Sequence, residues 1–228
     1  MRICHHARIV ELLGVCIVKK PIKLVLEFCR GGSLHKQLLM AAQNKKPIPV
    51  KQKLLYLMHI ANAMDNVNHK KIIHRDIAAR NVLLTSTNPE TRSAKLCDFG
   101  MAKQLDINNQ YISKTKNEKV DKKVQDFLAI CNSTLKKYPL GLWTKYSDIW
   151  SFGVLIWETW MDGATPYGSM HAEVFQMELE QGRRLKGKNM PPALQKIMEL
   201  CWDCVDPKRR PTFETLTYEL NKLRQELT

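Results

Sequence analysis

Acid is scarce in this chain of 228 residues: 22 Asp and Glu stand against 36 Lys and Arg, a formal net charge of +14. A balance this basic leaves two readings open. One is an anion-binding surface for nucleic acid or membrane; the other is a basic face that meets phosphates and acidic peptide segments. No nucleic-acid module is visible, which favours the second. Long apolar runs are missing as well. The longest, Ile149 to Trp157, is interrupted by Ser151 and is too short to cross a bilayer. The first residues, Met1-Arg2-Ile3-Cys4-His5-His6, lack the charged-then-apolar layout of a secretory signal. The expectation is therefore a cytoplasmic chain with no membrane anchor of its own.

A disulfide framework is lacking too. The seven Cys are odd in number and scattered, as in a reduced cytosolic protein. Cys201-Trp202-Asp203-Cys204 has no second pair downstream, and Cys4, His5, His6 and Cys16 are irregularly spaced, so neither set supplies the four ligands of a zinc site. Internal repeats and low-complexity tracts are absent. At 44% apolar, the composition still suffices for a sizeable core.

What is present is arranged around His74-Arg75-Asp76-Ile77-Ala78-Ala79-Arg80-Asn81. Upstream, residues 9–18 and 22–28 are β-branched and aliphatic runs that read as two strands joined at Lys19-Lys20-Pro21. Gly31-Gly32 allows a turn, and Ser33 is placed to cap a helix from Leu34 to about Ala42. Beyond a polar loop, Leu54, Leu55, Leu57, Met58, Ala61, Met64 and Val67 recur at helical spacing, which predicts a helix of about twenty residues. Val82-Leu83-Leu84 and Ala94 to Cys97 read as short strands, the second leading into Asp98-Phe99-Gly100. Residues 147–158 are nearly all apolar and predict a buried helix. Asp148, near its start, is either a helix cap or a buried acid with another task. Ser169 is placed to cap a helix from about Met170 to Gln181, and Phe213, Leu216, Leu220, Leu223 and Leu227 mark a closing helix.

The spacing H-R-D-x-x-x-x-N at residues 74–81, followed by Asp98-Phe99-Gly100, resembles the protein kinase family. Ala78-Ala79-Arg80 narrows the resemblance to tyrosine kinases, and residues 191–213 match the family's last signature. Gly14-Val15-Cys16, Pro21-Ile22 and Asp98 to Met101 lean toward the non-receptor Fes/Fer group. The resemblance implies an α+β, protein-kinase-like fold with ATP and magnesium as cofactors and protein tyrosines as substrates. Residues 1–29 would be a remnant of the N-terminal sheet lobe and the hinge. Residues 30–228 would be the helical C-terminal lobe, with an atypical activation segment at 98–143.

It also implies roles by position. Asp76 would deprotonate the tyrosine hydroxyl, Arg80 would stabilise charge at the transferring group, and Asn81 and Asp98 would hold magnesium. Leu26 would guard the back of the ATP pocket, the backbone of Glu27 and Cys29 would meet the adenine edge, and Leu83 would lie beneath it. His74 and Phe99, with Leu12, would belong to an internal hydrophobic spine. Asp148 would brace the catalytic-loop backbone. Tyr111 would pair with Arg75 once phosphorylated. Arg210 would pair with the Glu of an Ala-Pro-Glu motif.

Three departures stand against that pattern. The Gly-rich loop, the strand Lys and its Glu partner, which should precede residue 5, are not in these 228 residues. From Asp98 to Pro139 there are 41 residues, about twice the expected length, with a Lys-rich middle at 112–137. The Ala-Pro-Glu motif is absent, because Tyr138-Pro139-Leu140 runs almost directly into Gly141-Leu142-Trp143-Thr144. An insertion beside a deletion reads as a mis-joined coding sequence. The expectation is a tyrosine kinase impaired in this chain, with a catalytically inactive, pseudokinase-like binding module as the alternative.

Overall fold

The computed structural model describes residues 4–18, 20–112, 142–168, 174, 177–179, 181–203 and 205–227. Its centre is α3 (Lys145–Trp160), in which every residue from Ser147 to Thr159 is buried. Such a helix needs neighbours on all sides. They are α1 (Leu34–Gln43), α2 (Val50–His69) and α4 (Pro192–Leu200). The closing helix α5 (Phe213–Glu226) packs along α2 and completes the core.

Local signals explain where the helices begin. Ser33 Oγ accepts from the Lys36 N–H at 3.3 Å, the cap expected for α1. Thr144 caps α3, and Ser147 returns a bond to the Thr144 N–H at 3.1 Å, closing a capping box. The helix-cap reading of Asp148 is therefore corrected: Thr144 holds that place. Gly153, in the middle of α3, permits a close crossing. A Cβ there would fall 2.5 Å from Trp202 Nε1, and that indole N–H donates to the Trp150 carbonyl at 3.2 Å. In α5 the buried stripe is Phe213, Leu216, Leu220 and Leu223; Leu227 lies past the helix end and is exposed.

Short strands surround this body. β3 (Gly32–Ser33), β5 (Val82–Leu84) and β6 (Ala94–Leu96) form one sheet in that order; β4 (Ile72–Ile73) pairs with β7 (Lys103–Gln104), and β8 (Gln110–Ile112) with β9 (Leu142–Thr144). β1 (Leu12–Cys16) and β2 (Lys23–Leu26) form a separate antiparallel ribbon, shorter than the runs expected at 9–18 and 22–28. A bulge at Leu13 shifts its register, so that Leu12 faces Leu26 and Val15 faces Leu24. The ribbon joins the body through Ile9, bridged to Leu96, with Val10 N–H to Leu96 O at 2.9 Å and Leu96 N–H to Arg8 O at 2.8 Å. All four residues of β2 are exposed. Lys19 of the expected turn, Ser169 with most of the helix expected at 170–181, and residues 113–141 lie outside the described residues.

Candidate active site

The loop after β4 is held from beneath by α3. Asp148, fully buried, accepts the His74 N–H at Oδ2 (2.8 Å) and the Arg75 N–H at Oδ1 (2.9 Å). Burial pushes its carboxyl up to about 6, opposed by these two N–H donors and by the Arg75 charge. Arg75 itself takes φ of +70°, a left-handed conformation uncommon for a residue with a side chain, and the paired bonds to Asp148 offset that strain.

His74 is fully buried. Its Nε2 lies 3.0 Å from the Cys97 carbonyl and its Nδ1 accepts the Asp76 N–H at 3.3 Å, which together select the neutral Nε2–H tautomer. Burial lowers its pKa in the same sense. Its ring meets Phe99 edge-on at 4.8 Å. Leu12, the third expected spine residue, is half-buried at the base of β1.

The residues expected to do chemistry converge on one carboxylate. Arg80 Nη2 donates to Asp76 Oδ1, and Asn81 Nδ2 donates to Asp76 Oδ2 at 2.7 Å and to the Asp76 carbonyl at 2.8 Å. Arg80 and Asn81 sit in a single 3-10 turn, Ala79–Asn81. The Asn81 carbonyl accepts the Cys97 N–H at 2.9 Å, so Asp98 follows directly beside the turn. Asp98 has φ of +60° and its Oδ1 accepts the Gly100 N–H at 3.1 Å.

A contact that sequence reasoning missed holds this turn. Glu158, 6% exposed near the end of α3, accepts the Ala79 N–H at Oε2 (2.9 Å). Burial pushes its carboxyl up to about 7; the Ala79 N–H and the Arg80 charge oppose that, and Asp76 adds to it. Its only signal in the sequence was a charged residue inside an otherwise apolar run.

Among the residues expected to meet a nucleotide, Leu26 ends β2 at 38% exposed, and Phe28 beside them is 83% exposed. The Glu27 N–H is already bonded to the Glu11 carbonyl at 2.9 Å, so only the Glu27 C=O remains to meet a ligand from that residue's backbone. The Glu27 carboxylate holds Lys95 Nζ with both oxygens at 2.6 Å, a second contact that the sequence did not announce. Cys29 is buried and its carbonyl accepts the Gly32 N–H at 3.2 Å. Leu83 is half-buried opposite Lys95 in the β5–β6 register, on the strand face away from buried Val82 and Leu84.

Arg75 also reaches the β8–β9 ribbon. Its guanidinium lies 4.5 Å from the Trp143 ring centre and 5.2 Å from that of Tyr111, and those two rings are cross-strand neighbours. Arg75 and Tyr111 are thus neighbours through the face of the tyrosine ring. On the ribbon's other side, a cavity of about 520 Å³ is lined by residues that include Gln110, Thr144, Lys145, Lys208 and Arg210, and by none of the catalytic-loop residues. Buried Arg210 donates to the carbonyls of Asp203 (3.1 Å) and Tyr146 (2.8 Å) and stacks on Trp150 at 5.0 Å. Two carbonyl dipoles and an aromatic face stabilise this charge.

The donor chemistry fits magnesium. Asn81 turns its amide nitrogen to Asp76, which leaves Oδ1 to face a cation, and Asp98 supplies a carboxylate beside it. Two oxygen donors suit a hard ion that takes its remaining ligands from water and phosphate. No helix among the described residues is long and apolar enough to cross a membrane.

Comparison with known proteins agrees with this geometry. The model of the protein tyrosine and serine/threonine kinase family matches residues 1–220. The chain is 34% identical over 97% of its length to the tyrosine-protein kinase transforming protein Fps of Fujinami sarcoma virus, and 32% identical over 98% to the human tyrosine-protein kinase Fer. It is 34% identical over 96% to the human tyrosine-protein kinase FRK. It spans 24% of the Fps protein, 25% of Fer and 41% of FRK. With the family model matched over nearly the whole chain and the 74–81 loop gathered on Asp76, this chain belongs to the protein tyrosine and serine/threonine kinase family.

Proposed function

We propose that the site is built for transfer of the ATP γ-phosphoryl group to a protein tyrosine, and that these 228 residues by themselves carry it out poorly. The observation that carries the first half is the Asp76 carboxylate, positioned by Arg80 and Asn81 and embedded in the Asp148-braced loop. Asp76 orients the tyrosine hydroxyl and takes its proton, and Arg80 places positive charge beside the transferring group. Asn81 and Asp98 would hold magnesium, which when bound neutralises charge on the phosphates. Leu26, Glu27, Cys29 and Leu83 would receive the adenine. In this reading residues 1–29 act as sheet-lobe remnant and hinge, and 30–228 as the catalytic lobe. Phosphorylation of Tyr111 would add negative charge against Arg75. Tyrosine-bearing proteins of the cytoplasm are the proposed substrates.

The second half rests on the exposed β1–β2 ribbon. The Gly-rich loop and strand Lys that would cover ATP from above are not among these residues, and the ribbon's apolar side chains face solvent instead. Positioning supplies most of the catalysis in this chemistry, so each absent clamp weakens it. The same exposed ribbon favours the second reading, a non-catalytic module that docks partners. Thermal-shift titration with magnesium-ATP and transfer of labelled phosphate to a poly(Glu,Tyr) peptide test both halves. The expected result for residues 1–228 is little stabilisation and no turnover. Transfer that Asp76→Asn abolishes would overturn the impairment while supporting the reaction.

A further inference from the structure

α3 touches the catalytic loop twice. Asp148, in its first turn, receives the N–H groups of His74 and Arg75 just before Asp76. Glu158, ten residues later in its last turns, receives the N–H of Ala79 just after it. The Ala79–Asn81 turn carries both side chains that grip the Asp76 carboxylate. The loop is therefore pinned on either side of its acid by two carboxylates of one buried helix. We infer that Glu158 is a positioning residue for phosphoryl transfer, holding the Ala79–Asn81 turn so that Arg80 and Asn81 meet the Asp76 carboxylate. The inference rests on the phosphoryl-transfer reading for its purpose, but the contact it concerns is testable without any activity.

Two features make the role specific. The Ala79 N–H is the first donor of its 3-10 turn, a group that the turn itself leaves without an acceptor. Ala79 is 0% exposed, so water does not replace Glu158 there. What the turn requires is an oxygen acceptor at this point, not a negative charge. A carboxylic acid and a carboxamide offer that oxygen as a carboxylate does.

The test compares Glu158→Gln with Glu158→Met, side chains of similar length and volume of which only the first keeps an acceptor. Backbone amide exchange in residues 79–81 is followed in the 228-residue chain, with α2 and α5 as internal references. Glu158→Gln is expected to exchange at the wild-type rate. Glu158→Met is expected to exchange roughly tenfold faster in the turn, with α2 and α5 unchanged. Equal exchange in the two variants, or an acceleration spread evenly over the turn and both helices, would overturn the inference. If either variant fails to fold, Glu158→Asp at full stability serves as the control: its shorter arm should also speed exchange at Ala79, and wild-type exchange there sinks the proposal. In a kinase assay of any active form that includes these residues, Glu158→Met should lower kcat with KM for ATP little changed, and Glu158→Gln should restore it. A chain that never turns over leaves the exchange result standing and removes only the catalytic reading.

Discussion

Glu158 and Asp148 are raised above their ordinary values to about 7 and about 6, and burial is the leading cause in both. In the unfolded chain each loses its proton near pH 4. Their contribution to stability is therefore fully present below about pH 4 and is lost as pH rises through 6 and 7. Glu158→Gln removes one titration and keeps the bond to Ala79. Relative to the variant, the wild-type protein should lose on the order of 3 kcal/mol of stability between pH 4 and pH 8. Urea unfolding at several pH values checks this; a difference that stays constant across the range contradicts it. His59 works in the opposite direction. It is buried, accepts the Ala94 N–H at Nδ1 (3.2 Å), and is pushed down to about 4. The stability it contributes is present above about pH 6.5 and is lost as pH falls through 4, so His59→Asn should flatten that acid limb in the same experiment. The resemblance implied the Asp148 brace, but the environments of Glu158 and His59 were not legible in the sequence. Their causes are burial and partners 79 and 35 residues away, which no local spacing encodes.

At the scale of elements, the helices were the legible part. The apolar periods of α2 and α5, the Ser33 cap and the apolar run of α3 each followed from residues within one or two turns. Lys53 shows where periodicity stops informing. It is 6% exposed on α2 because its ammonium reaches the Trp160 carbonyl (3.1 Å) and Asp162 (2.7 Å) at the end of α3. The strands were read too long because the bulge at Leu13 and the pairing at Leu96 depend on partners rather than on propensity. The catalytic loop was legible as a motif, whereas its second brace at Glu158 was not. Gly153→Ala is informative here. Alanine favours a helix by up to about 1 kcal/mol, yet its Cβ would meet Trp202 Nε1 at 2.5 Å and Cys201 Cβ at 2.8 Å. Overpacking of this kind costs about 1–3 kcal/mol, so a net loss in the urea midpoint is expected. A gain would show that α3 and Trp202 can separate without penalty.

Across the whole molecule, stability is unevenly distributed. The main core of the body runs from α1 to α5, whereas the β1–β2 ribbon exposes Val15, Ile17, Ile22, Leu24 and Leu26 at 38–74%. A two-stranded ribbon with so little cover is marginal. Its amides should exchange by local opening, orders of magnitude faster than those of α2 and α5, which should exchange only on global unfolding. Ribbon protection equal to that of the helices would show that something else stabilises it.

The two carboxylates beneath the catalytic loop sit ten residues apart on one helix, about 15 Å along its axis. At Glu158 any acceptor of the right reach serves, and at Asp148 both carboxylate oxygens are needed, but at neither position does the spacing tolerate change. A single residue inserted between Gly153 and Glu158 would turn the second carboxylate about 100° round the axis and away from Ala79. The helix thus acts as a ruler for the loop, and its residue count is the dimension that insertions and deletions in this lobe must leave intact.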